Sequence, residues 1–168
     1  MSELFRPMRR KDRQLSQEDT WTLLKQENHG VLAVAGEDNW PYAVPMNYVL
    51  WKDCLYLHCA KEAYFLEAIA RNHRVCFTVV PQATLVPEHI TTLYESVIVF
   101  GEAQLVTEEP ERAAVLHEYV FHLGQVSQEI GDRYLAKLGP RTALVRITPK
   151  QVTGKANRRY IPVTDRLK

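Results

Sequence analysis

The sequence predicts an antiparallel β fold with flanking helices, closed into a barrel. Three observations predict it. About six short segments alternate apolar and polar residues, and most follow one another with only turn residues between them. Helical spacing appears only at the start, between strands and near the end. Six short strands left as an open sheet would present bare edges, which closure removes. At 168 residues the chain has the length for one domain, residues 1–168, with a core of its own.

The elements follow in order. Ser16, with Asp19 three residues later, predicts a helix N-cap, and the helix carries Trp21 and Leu24 before ending near Asn28 to Gly30. Val31 to Ala35 suits a buried strand, and Gly36 to Asn39 form a turn. Pro41 to Trp51 reads as a longer strand with Tyr42, Val44, Met46, Tyr48 and Leu50 on one face. Pro45 removes a ladder donor there, so the strand should be an edge, bulged or bent at that point. Lys52 and Asp53 predict a tight hairpin into Cys54 to Ala60, a strand with Leu55, Leu57 and Cys59 on one face and Tyr56, His58 and Ala60 on the other.

Phe65, Leu66 and Ile69 then recur at helical spacing, and Val75, Phe77 and Val79 begin another alternation. The polar turn at Lys61 and Glu62 therefore joins a strand end to a helix start, where free backbone N–H groups can meet an anion. Pro81 to Leu93 shows no clean period and reads as a long loop. Tyr94 to Val106 returns to strand, with Gly101 marking a bulge or close approach. Thr107 is expected to cap a helix with the stripe Ala113, Leu116, Val120 and Leu123, ending at Gly124. A further helix, Gln128 to Leu138, precedes a last strand at Ala143 to Thr148.

A net charge of +1 argues against general binding to nucleic acid or to a membrane surface. The basic start (Arg6, Arg9, Arg10, Lys11, Arg13) reads as a solvated arm or as a phosphate contact. No apolar run approaches the ~20 residues of a spanning helix, and no apolar signal segment follows Met1, so a cytoplasmic protein is expected. The three cysteines, Cys54, Cys59 and Cys76, sit in strand-like apolar segments as reduced thiols. Alternation puts His58 and Cys59 on opposite faces, which argues against a metal site. No Ser/His/Asp order or phosphate-cradling glycine loop suggests a hydrolase or kinase.

Six short motifs occur in a meaningful order: MRRKDR at Met8 to Arg13, YAVPMNY at Tyr42 to Tyr48, LYLHCAKE at Leu55 to Glu62, NHRVCF at Asn72 to Phe77, YESVIVFG at Tyr94 to Gly101 and TGK at Thr153 to Lys155. Together they resemble the nitroimidazole-resistance (Nim-like) group of the pyridoxamine 5′-phosphate oxidase-related flavoproteins. That resemblance implies a six-stranded antiparallel split β-barrel and a homodimer binding FMN between its barrels. It implies that Pro45, Met46, Asn47 and Tyr48 line the flavin with their backbone, and that His58, Cys59, Ala60 and Lys61 lie along its other side. His58 would orient or protonate the substrate. Tyr94 and Ser96 would reach the ligand or cap the barrel. Where the wider group carries a Gly-x-Lys for the phosphate, this chain has Ala63, Tyr64 and Phe65, and Phe65 cannot donate to a phosphate. Lys61, Arg9, Arg10 and Lys155 are the cations left for it. The implied activity is reduction of a small aromatic or nitro compound, with NAD(P)H as electron donor. The second reading is a non-catalytic barrel carrying or sensing flavin or haem.

Overall fold

The computed structural model describes residues 5–158. Seven strands form one sheet: β1 (His29–Ala35), β2 (Pro41–Trp51), β3 (Cys54–Ala60), β4 (Arg74–Val79), β5 (Ala83–Val86), β6 (Thr91–Leu105) and β7 (Thr142–Asn157). Their order is β4-β1-β2-β3-β7-β6-β5, and β4 pairs with β6 as well. That last pairing closes six strands into a ring, the antiparallel split barrel, with β5 attached outside it along β6. Every pairing is antiparallel.

Local chemistry sets the connections. Ser16 Oγ accepts the Asp19 N–H at 3.0 Å and starts α1 (Gln17–Gln26). Lys52 and Asp53 both take positive φ, +48° and +58°, as a two-residue hairpin turn of matching twist demands. The register shifts between Phe100 and Gly101, so the expected bulge is present. On the β3 side, β2 is paired only from Tyr48 to Trp51; at Pro45 it is an edge on that side, which tolerates a missing N–H.

Four expectations are corrected. Gly30 does not end a helix but lies in β1, where a Cβ would come within 2.6 Å of the Phe77 ring and of the Thr78 carbonyl. The expected long loop after Val80 contains β5, paired along Thr91 to Tyr94. Thr107 does not cap α3 (Glu109–His117); Glu108 holds the N-cap position, and its side chain makes no capping bond. The last strand continues past Thr148 to Asn157 because β6 is long enough to pair with all of it.

The barrel interior holds Leu32, Leu55, Leu57, Phe77, Val97, Val99, Val145 and Ile147, each with no exposure. Burying a side chain of this size contributes about 1.5–3 kcal/mol. α1 closes one end through Leu23 and Leu24, and Tyr48 donates its buried hydroxyl to the Leu24 carbonyl at 2.7 Å. From α2 (Tyr64–Arg71), Phe65, Ala68 and Ile69 join the same core. A second apolar cluster lies on the outside of β2 and β3, where Val49, Tyr56 and Leu144 meet Val115 and Tyr119.

Candidate functional site

Alternation along β2 and β3 divides the expected site residues by face. Met46, Tyr48 and Cys59 pack against the barrel core, whereas Pro45 and Asn47 are exposed on the outer side of β2. His58 and Ala60 lie on the outer side of β3 and are exposed. Phe65, in the first turn of α2, is 4% exposed and belongs to the core, so its ring offers nothing to a ligand. Next to it, Ala63 holds the N-cap position of α2 with no side-chain capping bond, and Lys61 is exposed two residues before. The start of α2 thus keeps uncapped N–H groups beside a cation, the arrangement that favours an anion.

Tyr119 organises the ground around His58. α3 continues as a π-helical segment over Glu118–Leu123, and this wider turn carries Tyr119 onto the outer faces of β2 and β3. The Tyr119 hydroxyl donates to the Tyr56 carbonyl at 2.5 Å and lies 3.2 Å from that of Asn47. Its ring meets the His58 imidazole edge-on, with centroids 4.5 Å apart. Burial holds the phenol protonated by pushing its pKa upward. His58 is open on its cavity side, but packing against Tyr119 desolvates it in part and lowers its pKa below the ordinary value of 6.5, which favours the neutral imidazole. The neighbouring Cys59 thiol is pushed up to about 11 by burial, and Cys76 also rises, so neither presents a ready thiolate.

A cavity of about 610 Å³ opens beside His58, Cys59 and Ala60, walled by the π-helical segment, α4 (Gln128–Leu138) and Arg141. A second, of about 830 Å³, adjoins it and is bordered by Lys61, Glu109 and Arg112. The two share Leu116, Leu135, Gly139 and Thr142 in their walls. Arg112 is committed elsewhere: it donates to the Gly139 and Thr142 carbonyls at 3.3 and 3.0 Å and pairs with Glu109. α3 is fixed to the barrel by Glu111, which accepts from Tyr56 at 2.7 Å and from Arg146 at 2.9 Å.

Tyr94, Ser96 and Lys155 form a separate group. Ser96 pairs with Lys155 across β6 and β7, and the Lys155 ammonium lies 5.6 Å from the Tyr94 ring centroid. Burial alone would raise the Tyr94 phenol pKa, but hydrogen bonds from Arg13 and Lys155, with their charges, hold it below the ordinary value. Arg10 is engaged by Asp12 at 2.6 and 2.8 Å, and that guanidinium holds the Asp12 carboxyl down to about 2. Within one chain this group is separated from His58 along the length of β7, where His58 pairs with Leu144 near the start of the strand and Ser96 pairs with Lys155 near its end.

Two residues that shape the cavity were not singled out from sequence: Tyr119 and Arg141. The sequence stripe placed Leu116, Val120 and Leu123 inward, but Val115 and Tyr119 are the fully packed pair of that helix. Leu116 and Leu123 pack against the edge of that cluster and, with Val120, also wall the cavity, whereas Ala113 is exposed. Val115 and Tyr119 stand at i and i+4, a spacing as helical as the stripe proposed. Nothing in the sequence marks Arg141 apart from the other arginines.

The pyridoxamine 5′-phosphate oxidase family model matches residues 16–156. Among solved structures, a conserved hypothetical protein of Mycobacterium tuberculosis is similar, with 17% identity over 89% of this chain and 90% of that chain and a TM-score of 0.77. A FAD-binding protein from Mesorhizobium loti shares 22% identity over 86% and 97% of the two chains, with a TM-score of 0.66. A protein provisionally described as a 5-nitroimidazole antibiotic resistance protein of Bacteroides thetaiotaomicron shares 22% over 85% and 86%, with a TM-score of 0.65. At such identities these likenesses concern the fold. No curated protein matches in sequence.

Proposed function

The chain belongs to the pyridoxamine 5′-phosphate oxidase family, and on that premise we propose that it is an FMN-dependent oxidoreductase acting on a small aromatic or nitro compound, with NAD(P)H as electron donor. One observation carries the proposal. An exposed row on the outer side of β2 and β3 (Pro45, Asn47, His58, Ala60) ends at Lys61 and the uncapped start of α2. The residues fit a flavin nucleotide: the row offers a shallow surface for a planar ring, and the helix start with Lys61 offers cationic character for a phosphate. Solved structures of like fold include a FAD-binding protein, which supports a flavin. The bound flavin would supply the redox chemistry.

The chain's own residues supply placement and proton control. Lys61 and the Tyr64 and Phe65 N–H groups meet the phosphate. Phe65 anchors that turn by burying its ring, so the lysine expected at its position is replaced in function by Lys61. His58, held neutral, accepts a hydrogen bond from the acceptor compound or orients it. Tyr119 keeps the imidazole at one angle, and the helices α3 and α4 keep water from one side of it. A homodimer is part of the proposal. Val31, Ile98 and Phe100 are exposed on the outer side of neighbouring strands, joined through the pairs Val31–Thr78 and Thr78–Ile98. Such a contiguous apolar area favours a partner surface. Lys155 and Tyr94, remote from His58 in one chain, would then reach the flavin of the partner subunit.

The test is flavin-dependent oxidation of NADPH or NADH by the FMN-loaded protein, with a nitroaromatic acceptor, beside the His58→Ala variant. Turnover lost on that substitution while flavin is retained supports the reading. Full turnover in His58→Ala removes His58 from the chemistry. A Soret band in the purified protein in place of flavin bands would overturn FMN in favour of haem.

A further inference from the structure

We infer that the cavity beside His58 is built for a planar aromatic anion, with Arg141 as the residue that holds its acid group. This deepens the reading above by naming the class of compound, and it rests on that reading only for the redox outcome; the binding stands by itself.

The argument starts from the wall. At about 610 Å³ the cavity lies within the range of small-molecule sites. Leu116, Val120, Ile130 and Leu135 make most of its lining apolar, which suits a ring rather than a sugar or a peptide. Arg141 is the one permanently charged residue among those lining it, and no carboxylate lines it. Arg141 closes the short turn Gly139–Arg141 ahead of β7, and it is exposed. It makes no ion pair or side-chain hydrogen bond among the described residues. Its neighbour in kind, Arg112, is by contrast fully engaged by carbonyls and by Glu109.

An arginine at the mouth of an apolar cavity, uncompensated by acid, creates a positive potential there, and its planar fork matches a carboxylate with two parallel hydrogen bonds. His58, neutral, adds a hydrogen-bonding nitrogen without cancelling that field. The two groups therefore sort ligands differently. Arg141 selects for an acid on the ring, and His58 meets whatever polar group the ring carries elsewhere. Lys61, at the border of the adjoining cavity, keeps the surroundings cationic.

The experiment compares 4-nitrobenzoate with 4-nitrobenzamide, nearly isosteric and uncharged, by isothermal titration calorimetry on the full-length protein as purified. The benzoate is expected to bind about tenfold more tightly, the factor that one charge-assisted pair gives in a partly open site. Arg141→Gln should abolish that preference, and Arg141→Lys should keep part of it. Ile130→Trp, which fills the cavity from an exposed helix position, should weaken both probes together. Equal affinity for the two probes, a preference that survives Arg141→Gln, or no binding of either probe at millimolar concentration would overturn the inference. Because calorimetry reads ligand binding with or without flavin, a colourless protein that does not take up added FMN yet still prefers the benzoate would contradict the flavin reading and leave this one standing.

Discussion

Tyr119→Phe removes one hydroxyl and leaves the ring in place. That hydroxyl has a single proton and two acceptors, the Tyr56 carbonyl at 2.5 Å and the Asn47 carbonyl at 3.2 Å, so one bond dominates. The residue is 8% exposed, and water cannot readily replace what is lost. A net hydrogen bond contributes about 1 kcal/mol, and a buried carbonyl left without its donor raises the cost to about 1–3 kcal/mol. For a chain of this size each kcal/mol lowers Tm by roughly 3 °C, which gives about 3–9 °C. Thermal unfolding followed by circular dichroism measures it, with urea unfolding as a check that the slope is unchanged. Tyr119→Ala, which also withdraws the ring from His58 and from the outer cluster, should cost about 3–5 kcal/mol. A Tyr119→Phe variant within about 1 °C of the parent would refute the claim that this hydroxyl ties the π-helical segment to β2 and β3.

The other predictions concern neighbouring features. The His58 imidazole should titrate below 6.5 by NMR, because partial desolvation against Tyr119 disfavours its cation. The native state then binds fewer protons than the unfolded chain just below that pH, so the His58 contribution to stability is present above it and fades as pH falls through it; a midpoint above 6.5 would contradict this. Glu111→Ala should cost about 1–3 kcal/mol in urea unfolding, since Tyr56 loses its acceptor, and Arg146 keeps only Gln104 as a side-chain acceptor and already has an unsatisfied buried Nε. Gly30→Ala should destabilise by about 1–3 kcal/mol, because the added carbon would sit 2.6 Å from the Phe77 ring and from a backbone oxygen; an unchanged midpoint would mean that β1 and β4 shift apart freely.

Much of the barrel is legible in the sequence because its signals are local. Alternation assigns β1 to β4, the Lys52–Asp53 pair gives the hairpin, and Ser16 with Asp19 gives the helix start. Gly101 marks its bulge for the same reason. What escapes notice depends on distant pairing. β5 is four residues of ordinary polarity that become a strand only because β6 extends beyond the ring, and the second half of β7, past its pairing with β3, is held as a strand by β6. Gly30 looks like a helix terminator until Phe77 is seen to lie against it. The candidate site divides along the same line. His58 and Ala60 on one face follow from strand period, as does the inward Cys59. The π-helical turn that brings Tyr119 to His58 has no sequence period, and Arg141 stands out only when the cavity's other lining residues are seen to carry no charge.

Titration of flavin-free protein with FMN, followed by quenching of flavin fluorescence, tests the central claim most directly. Saturable binding with a Kd of about 1 μM or tighter is expected. Lys61→Ala should weaken it about tenfold, the share of one charge-assisted phosphate contact. Absence of saturable quenching, in a protein that is colourless as purified, would contradict the account.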